Sequence, residues 1–386
     1  MVSHDKNVTS EVSSVPETKP HHRPKGGFMN PWSSYQEPNL WSVVKTLALD
    51  FNFKTFLGTP SKDALVPVQP VAFDQLHQPN PEAFQLTWLG HASFLLQTNG
   101  LNILFDPVFS NRCSPFQFIG PARIRPTPCR IDELPPIDIV MISHNHYDHM
   151  DKNTIKALGT TPQYFVPLGN KSLLKSLGAT RVTEMDWWDE QEVDLATDES
   201  NQNQNQDHIN DQHYRRIKVA CTPCQHHSNR GVLDRCRSLW ASFTLILPQG
   251  PRFFFSGDTG YRSVQNTQQV QMLDTPDDKV PACPVFKEIG AKYGPFNLAC
   301  LPIGAYSPRW LFSPMHCSPE DAVRIHEDIR STKSIGMHWG TFILTDEDVS
   351  EPPVRLANAM ENRGHHPEAF TTMNIGATLT IPMADS

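Results

Sequence analysis

No stretch of this 386-residue chain stays apolar long enough to span a bilayer, so a transmembrane helix is not expected. The opening residues, Met1 to Pro20, hold no apolar core of the kind a secretory signal needs, and Asp5, Glu11 and Glu17 argue against a mitochondrial address. Positive charge is in short supply: the net charge is −8 and the pI about 6.1, so the basic footprint of a nucleic-acid binder is missing. The eight cysteines are scattered, which excludes a disulfide scaffold and points to free thiols in a reducing, intracellular compartment. Cys221-Thr222-Pro223-Cys224 has no second pair at zinc-finger spacing. No segment repeats.

What remains is a chain with three regions. Residues 1–27 are rich in Ser, Thr, Pro, His and Lys and read as a disordered tail. Residues 28–83 form an N-terminal extension in which Leu40, Val43, Val44, Leu47 and Phe51 follow helical spacing. Two readings fit that stripe, with Trp41 beside it: a helix packed on the domain, or one lying in a lipid interface. From residue 84 to 386 short β-rich runs alternate with a few capped helical patterns, which fits sheets covered by helices. The strands include 85–89, 92–97, 101–105, 137–143, 216–221, 252–256 and 334–337, with Asn99-Gly100 as a hairpin turn. Helices are expected at 151–158, 171–177, about 352–362, and after the cap Ser318-Pro319-Glu320-Asp321. Two polar segments, 194–212 and 262–281, read as exposed insertions.

The chemistry concentrates in His144-Asn145-His146-Tyr147-Asp148-His149, which directly follows an apolar run. Imidazoles and a carboxylate suit zinc or a similar first-row metal. One short loop cannot aim four side chains at a single ion, so two neighbouring ions fit better. Three further β-rich runs end in candidate ligands: His226, Asp258 and His338. Strand ends of a layered α/β fold gather along one edge, which brings such residues together. His144, His146 and His226 are then expected on one ion, and Asp148, His149 and His338 on the other. Asp258 bridges them, because a carboxylate offers one oxygen to each. His227 is a weaker alternative to His226, and His91 a supporting residue behind the ligands. His21, His22, His208, His213, His365 and His366 have no such context and are expected in solvent.

These residues resemble the metallo-β-lactamase superfamily. With Thr87-Trp88-Leu89-Gly90-His91-Ala92, Asp186-Trp187-Trp188, Gly257-Asp258-Thr259-Gly260-Tyr261, Pro302-Ile303-Gly304-Ala305-Tyr306, Pro308-Arg309-Trp310 and His338-Trp339-Gly340-Thr341-Phe342, the chain is similar to the N-acyl-phosphatidylethanolamine-hydrolysing phospholipase D family. Phe28-Met29-Asn30-Pro31-Trp32 is similar to that family's N-terminal segment. The resemblance implies an αββα sandwich, two Zn²⁺ ions, a homodimer and peripheral membrane contact, with a hydroxide bridging the ions attacking phosphorus. The products would be N-acylethanolamine and phosphatidic acid. Asp148 and Asp258 would be the catalytic carboxylates. Tyr147 and His316 match substrate-contacting positions, and both can hydrogen-bond a phosphate or amide oxygen. Arg309 fits either a phosphate contact or a structural ion pair. The resemblance also favours lipid docking for residues 28–57. The chain departs from the pattern at Met315, where a polar residue is common, and at Asn229-Arg230, which supplies one cation where two are usual.

A lactonase or another phosphodiesterase on the same fold is the main alternative, disfavoured by the aromatic N-terminal segment. The other phospholipase D chemistry needs paired His-x-Lys-x₄-Asp motifs. Here the sole His-x-Lys, His4-Asp5-Lys6, is followed by Glu11 at the place of the aspartate. A non-catalytic membrane module is disfavoured because every ligand position is filled.

Overall fold

The computed structural model describes residues 19–37, 65–195, 215–248, 250–265, 269 and 279–383. Fourteen strands among them form two sheets of seven. In the first, β1 (Ala83–Gly90), β2 (Ser93–Thr98) and β3 (Leu101–Phe105) run antiparallel. They continue in parallel through β4 (Ile139–Met141), β5 (Gln163–Pro167) and β6 (Val182–Met185). The second sheet repeats this plan. There β7 (Glu190–Leu195), β8 (Arg215–Thr222), β9 (Ser242–Ile246) and β10 (Arg252–Phe255) are antiparallel. The parallel part is β11 (Leu298–Pro302), β12 (Ser334–Met337) and β13 (Phe370–Thr371). The chain then returns to the first sheet, where β14 (Thr378–Pro382) pairs antiparallel with β1.

Parallel neighbours need a crossover, and helices supply it. These are α2 (Lys152–Leu158) and α3 (Lys171–Ser176) on the first sheet, and α4 (Val285–Tyr293), α6 (Pro319–Asp328) and α7 (Glu351–Asn362) on the second. The short α1 (Phe73–His77) and α5 (Arg309–Phe312) complete the described set. Side-chain alternation shows how the layers form. In β4, Ile139 and Met141 face the interior between the sheets, whereas Val140 joins Ile155 and Leu174 beneath the helices. Across the sandwich, the Phe105 ring lies 5.2 Å from Phe253 and 4.7 Å from Phe255. The result is the αββα sandwich that the resemblance implied.

Local signals behave as their chemistry requires. Asn99 and Gly100 both have positive φ, 50° and 71°, as a two-residue hairpin turn demands. Asp151 caps α2 by accepting from Asn153 N, and Ser318 caps α6 with Pro319 in its first turn. Strand β7 has no apolar signature (Glu-Gln-Glu-Val-Asp-Leu). It is an edge strand fastened by charge, with Arg216 Nε 2.6 Å from Asp194 Oδ1 and Lys218 Nζ 3.5 Å from Glu190 Oε2.

Several boundaries differ from the sequence reading. Residues 19–27, assigned to the disordered tail, lie against the body: His21 is buried and donates to Asp186 Oδ1 at 2.7 Å, and His22 donates to Asp186 Oδ2 at 2.9 Å. The two histidines expected in solvent thus share one carboxylate, which Lys19 also approaches at 2.9 Å. Residue 84 does not begin a separate body, because Val66 and Leu76 already belong to the two cores. Of the first insertion, Asp194 and Leu195 end β7. The second was read as exposed from residue 262, yet Arg262 is buried with its Nε 2.8 Å from Asp321 Oδ1. The stripe at 40–51, His208 and His213 lie outside the described residues. Among the described residues no helix is long and apolar enough to cross a membrane. All eight cysteines are free and buried.

Candidate metal centre

The histidine loop is shaped by a residue that the sequence reading missed, Asp106. It follows β3, is fully buried and has φ 36°. Its Oδ1 accepts from Ser143 N at 2.7 Å, and its Oδ2 from Ser143 Oγ at 2.6 Å and His149 Nδ1 at 2.7 Å. The loop leaves β4 at a fixed angle, and His149 is locked as the Nδ1–H tautomer with Nε2 turned inward. Two other candidate ligands are oriented in the same manner. His144 Nδ1 donates to Ser143 Oγ at 2.9 Å, and His226 Nδ1 donates to Met315 O at 2.9 Å.

Strand ends bring up the rest. His226 follows β8, Asp258 follows β10, and His338 follows β12 with φ 63°. Asp258 Oδ2 lies at the middle: 3.0 Å from His338 Nε2, 3.1 Å from His149 Nε2, 3.8 Å from His226 Nε2 and 3.9 Å from His144 Nε2. One group of donor atoms comprises His144, His146, His226 and Asp258, all within 4.8 Å of one another. The second comprises Asp148, His149, His338 and His91, within the same span. His91, expected behind the ligands, has its Nε2 3.0 Å from Asp148 Oδ2. All seven ligand positions named from the sequence therefore converge, with His91 against the second group.

The donor set fits a pair of cations. His144 Nε2 faces His146 Nδ1 at 2.8 Å, and His226 Nε2 faces the same Nδ1 at 3.3 Å. With the Nδ1 protons of His144 and His226 committed outward, lone pairs converge there, which only a proton or a cation relieves. Asp258 Oδ1 and, beside it, His316 Nδ1 are buried without a hydrogen-bond partner. Such orphaned atoms are costly unless something satisfies them. Burial holds His144 and His226 well below the usual imidazole range and His146 at about 4, so these three are neutral donors. Burial opposes charge on His149 and His338 too. There the Asp258 carboxylate, aided by Asp148, outweighs it and raises His149 well above its ordinary value and His338 to about 9. Asp148 and Asp258 are pulled well below the carboxylate range against their burial, chiefly by His149.

The substrate-side candidates divide. Tyr147 is half-buried and donates to Arg230 O at 3.0 Å, with the Arg230 guanidinium 4.1 Å from its ring centre. Arg230 Nη1 also donates to Asn145 O at 2.7 Å and Met150 O at 2.8 Å, so it braces the whole loop. His316 Nδ1 lies 3.9 Å from Asp258 Oδ2 with no hydrogen-bond partner, and burial lowers it to about 4. Arg309 points elsewhere. It pairs with Asp321 Oδ2 and donates to His316 O at 3.0 Å, with 9% of its side chain exposed. The expected phosphate contact by Arg309 is therefore corrected: its guanidinium is consumed by Asp321 and by the backbone of His316. His227 meets His146 edge-on, with ring centres 4.8 Å apart, but stays outside both donor groups. His365 pairs with Glu327 at 2.6 Å, outside both donor groups, and His366 is exposed.

The N-terminal segment enters the site as well. Asn30 Nδ2 donates to His226 O at 2.7 Å, Ser34 Oγ donates to Gln225 Oε1 at 2.6 Å, and Trp32 stacks on Trp187 at 5.3 Å.

A beta-lactamase superfamily domain model matches residues 101–339. The chain is 34% identical over 324 residues to "N-acyl-phosphatidylethanolamine-hydrolyzing phospholipase D 1" of Caenorhabditis elegans, covering 81% of this chain and 80% of that one. It is 33% identical over 308 residues to the mitochondrial N-acyl-phosphatidylethanolamine-hydrolyzing phospholipase D of Saccharomyces cerevisiae, covering 77% of this chain and 58% of the yeast protein. Among solved structures, an isothiocyanate hydrolase from Delia radicum gut bacteria superposes with a TM-score of 0.52 at 14% identity, covering 78% of this chain and all of that one. At that identity the likeness concerns the fold alone.

Proposed function

This chain belongs to the beta-lactamase superfamily and, within it, to the N-acyl-phosphatidylethanolamine-hydrolysing phospholipase D family, and we propose that it hydrolyses N-acyl-phosphatidylethanolamine at a binuclear zinc centre. Water oxygen bonds to phosphorus, the phosphorus–oxygen bond to the ethanolamine breaks, and N-acylethanolamine and phosphatidic acid leave. The observation that carries the reading is the position of Asp258 Oδ2, within 3.9 Å of four imidazole Nε2 atoms drawn from both donor groups. A carboxylate so placed suits a bridge. Nitrogen and oxygen donors of this kind suit zinc. A pair of such ions, held by His144, His146, His226, Asp258, Asp148, His149 and His338, would lower the pKa of water and neutralise phosphoryl oxygens.

The chain's own groups do the rest. Asp106, Ser143 and Met315 O fix the ligand tautomers. Tyr147 and His316 flank the centre and offer hydrogen bonds to a phosphoryl or amide oxygen. Arg309 acts on His316 through its backbone carbonyl, as a positioning residue. We extend the same reading to the setting: an intracellular homodimer in peripheral contact with the membrane that holds its substrate.

The test is to incubate the purified protein with N-acyl-phosphatidylethanolamine in mixed micelles, with and without chelator, and identify products by mass spectrometry. Chelator-sensitive release of N-acylethanolamine is expected. Its absence, or release of a lyso-lipid, would refute the reading. Asp258→Asn is expected to abolish turnover and metal retention together.

A further inference from the structure

Next to Tyr147 a surface turn presents two aliphatic side chains to solvent. Val232 is 98% and Leu233 90% exposed. The turn is built to hold them there: Asp234 Oδ1 accepts from Arg230 N at 3.0 Å and Gly231 N at 2.7 Å, and Arg237 N donates to Asp234 O at 2.9 Å. Beneath the apex lies a depression of about 680 Å³ lined by Arg23, Lys25, Arg235 and Arg237 together with Met29. Its lining holds four cations and no carboxylate, on a chain whose net charge is −8. Among the described residues only Arg235 has a carboxylate within reach, the exposed Glu37 at 3.3 Å. A second exposed apolar tip, Phe116 with Phe118 and Ile119, follows Cys113, in the small cluster that Tyr147 packs against.

We infer that the 230–237 turn is a membrane-docking wedge: Val232 and Leu233 enter the acyl boundary of a bilayer while Arg23, Lys25, Arg235 and Arg237 meet anionic phospholipid headgroups. The inference rests on the reading of the chain as an enzyme of membrane phospholipid. Two aliphatic side chains at one apex offer far too little area for a stable protein interface, which needs roughly 800 Å² per partner. A fluid interface accepts such a wedge, and anionic headgroups complement the cationic ring. The turn is also joined to the centre. Arg230 stands at its base, covers Tyr147 and holds the carbonyls of Asn145 and Met150. Docking therefore sets the histidine loop at the lipid surface.

The experiment is co-sedimentation of the full chain with phosphatidylcholine vesicles, with or without about 30 mol % phosphatidylglycerol and without any N-acyl lipid. Binding of the wild type is expected to rise with the anionic lipid and to fall as salt screens it. Val232→Asp/Leu233→Asp and, separately, Lys25→Glu/Arg237→Glu are expected to bind about tenfold more weakly, with unchanged melting temperature. Turnover of a short-chain N-acyl-phosphatidylethanolamine held below its critical micelle concentration, which needs no lipid surface, is expected to stay within about twofold of wild type. Equal vesicle binding by both variants and the wild type would overturn the inference. So would conversion of a dimer to a monomer by Val232→Asp/Leu233→Asp, which would make a second copy the occupant. Because the vesicles carry no substrate, a failure of the hydrolytic reading shows in turnover of the monomeric substrate alone and a failure of docking in sedimentation alone.

Discussion

The side-chain amide of Asn30 donates a 2.7 Å hydrogen bond to the backbone carbonyl of His226. A residue near the start of the described chain thus steadies one of the candidate ligands, nearly two hundred positions away. Both groups are buried, so removing the donor leaves a carbonyl short of a partner. Asn30→Ala is expected to lower stability by about 1–2 kcal/mol in urea unfolding. It is also expected to weaken metal retention. A variant that unfolds and retains metal like the wild type would mean that the N-terminal segment merely rests on the site.

Asp106 tests whether the groups behind the ligands matter as much as the ligands. Asp106→Asn keeps the size but replaces one accepting oxygen with a donor, so His149 Nδ1 and the Ser143 groups lose a common acceptor. Metal affinity is expected to fall about 10–100-fold in a chelator competition titration. Unchanged affinity would show that the loop keeps its shape without this carboxylate.

Arg309 separates a substrate contact from a structural one. Its partner Asp321 is also held by Arg262, and all three side chains are at most 9% exposed. Arg309→Gln is expected to destabilise the fold by roughly 3 kcal/mol by breaking a buried pair. If Arg309 instead bound phosphate, KM would rise while the unfolding curve stayed in place. Thermal melts and steady-state kinetics on one preparation decide between them.

The Asp186 carboxylate receives His21, His22 and Lys19, and Trp187 N donates to it at 2.8 Å, while Lys19 also lies 3.6 Å from Asp189. Burial works against its charge, yet hydrogen bonds from His21 and Lys19 prevail and hold it below the ordinary carboxylate value of 3.8. A depressed folded pKa means a contribution that is fully present above that ordinary value and fades as pH falls below it. The melting-temperature gap between wild type and Asp186→Asn is therefore expected to be widest near neutral pH and to close under acid conditions. A gap that persisted in acid would locate the effect in packing rather than charge.

Much of the site was legible because its chemistry is local. Four candidate ligands in six residues need no fold to be noticed, and His226, Asp258 and His338 each follow a β-rich run. The caps of α2 and α6 and the Asn99-Gly100 turn are equally local. What escaped depends on distant partners. Asp106 looks like any aspartate after a strand until Ser143 and His149 close on it. His21 and His22 look solvated because Asp186 lies about 165 positions away. Strand β7 escaped because an edge strand is held by charges and backbone rather than by apolar alternation. Helix α4 lies behind a polar segment, and its buried residues, Val285, Phe286, Ile289 and Tyr293, were overlooked there. Arg309 was ambiguous because charge alone does not name its counter-ion.

The return of β14 to pair with β1 has a consequence for how the protein comes into being. A ribosome delivers all the strands of the second sheet, and six of the first, before residues 378–382 exist to cover β1. Through most of synthesis β1 therefore offers an unpaired backbone edge made of Phe84, Leu86 and Trp88 and their neighbours, a template for sticking to other nascent chains. The pairing that ends this exposure follows the other thirteen described strands, so production in quantity depends on how quickly β14 docks.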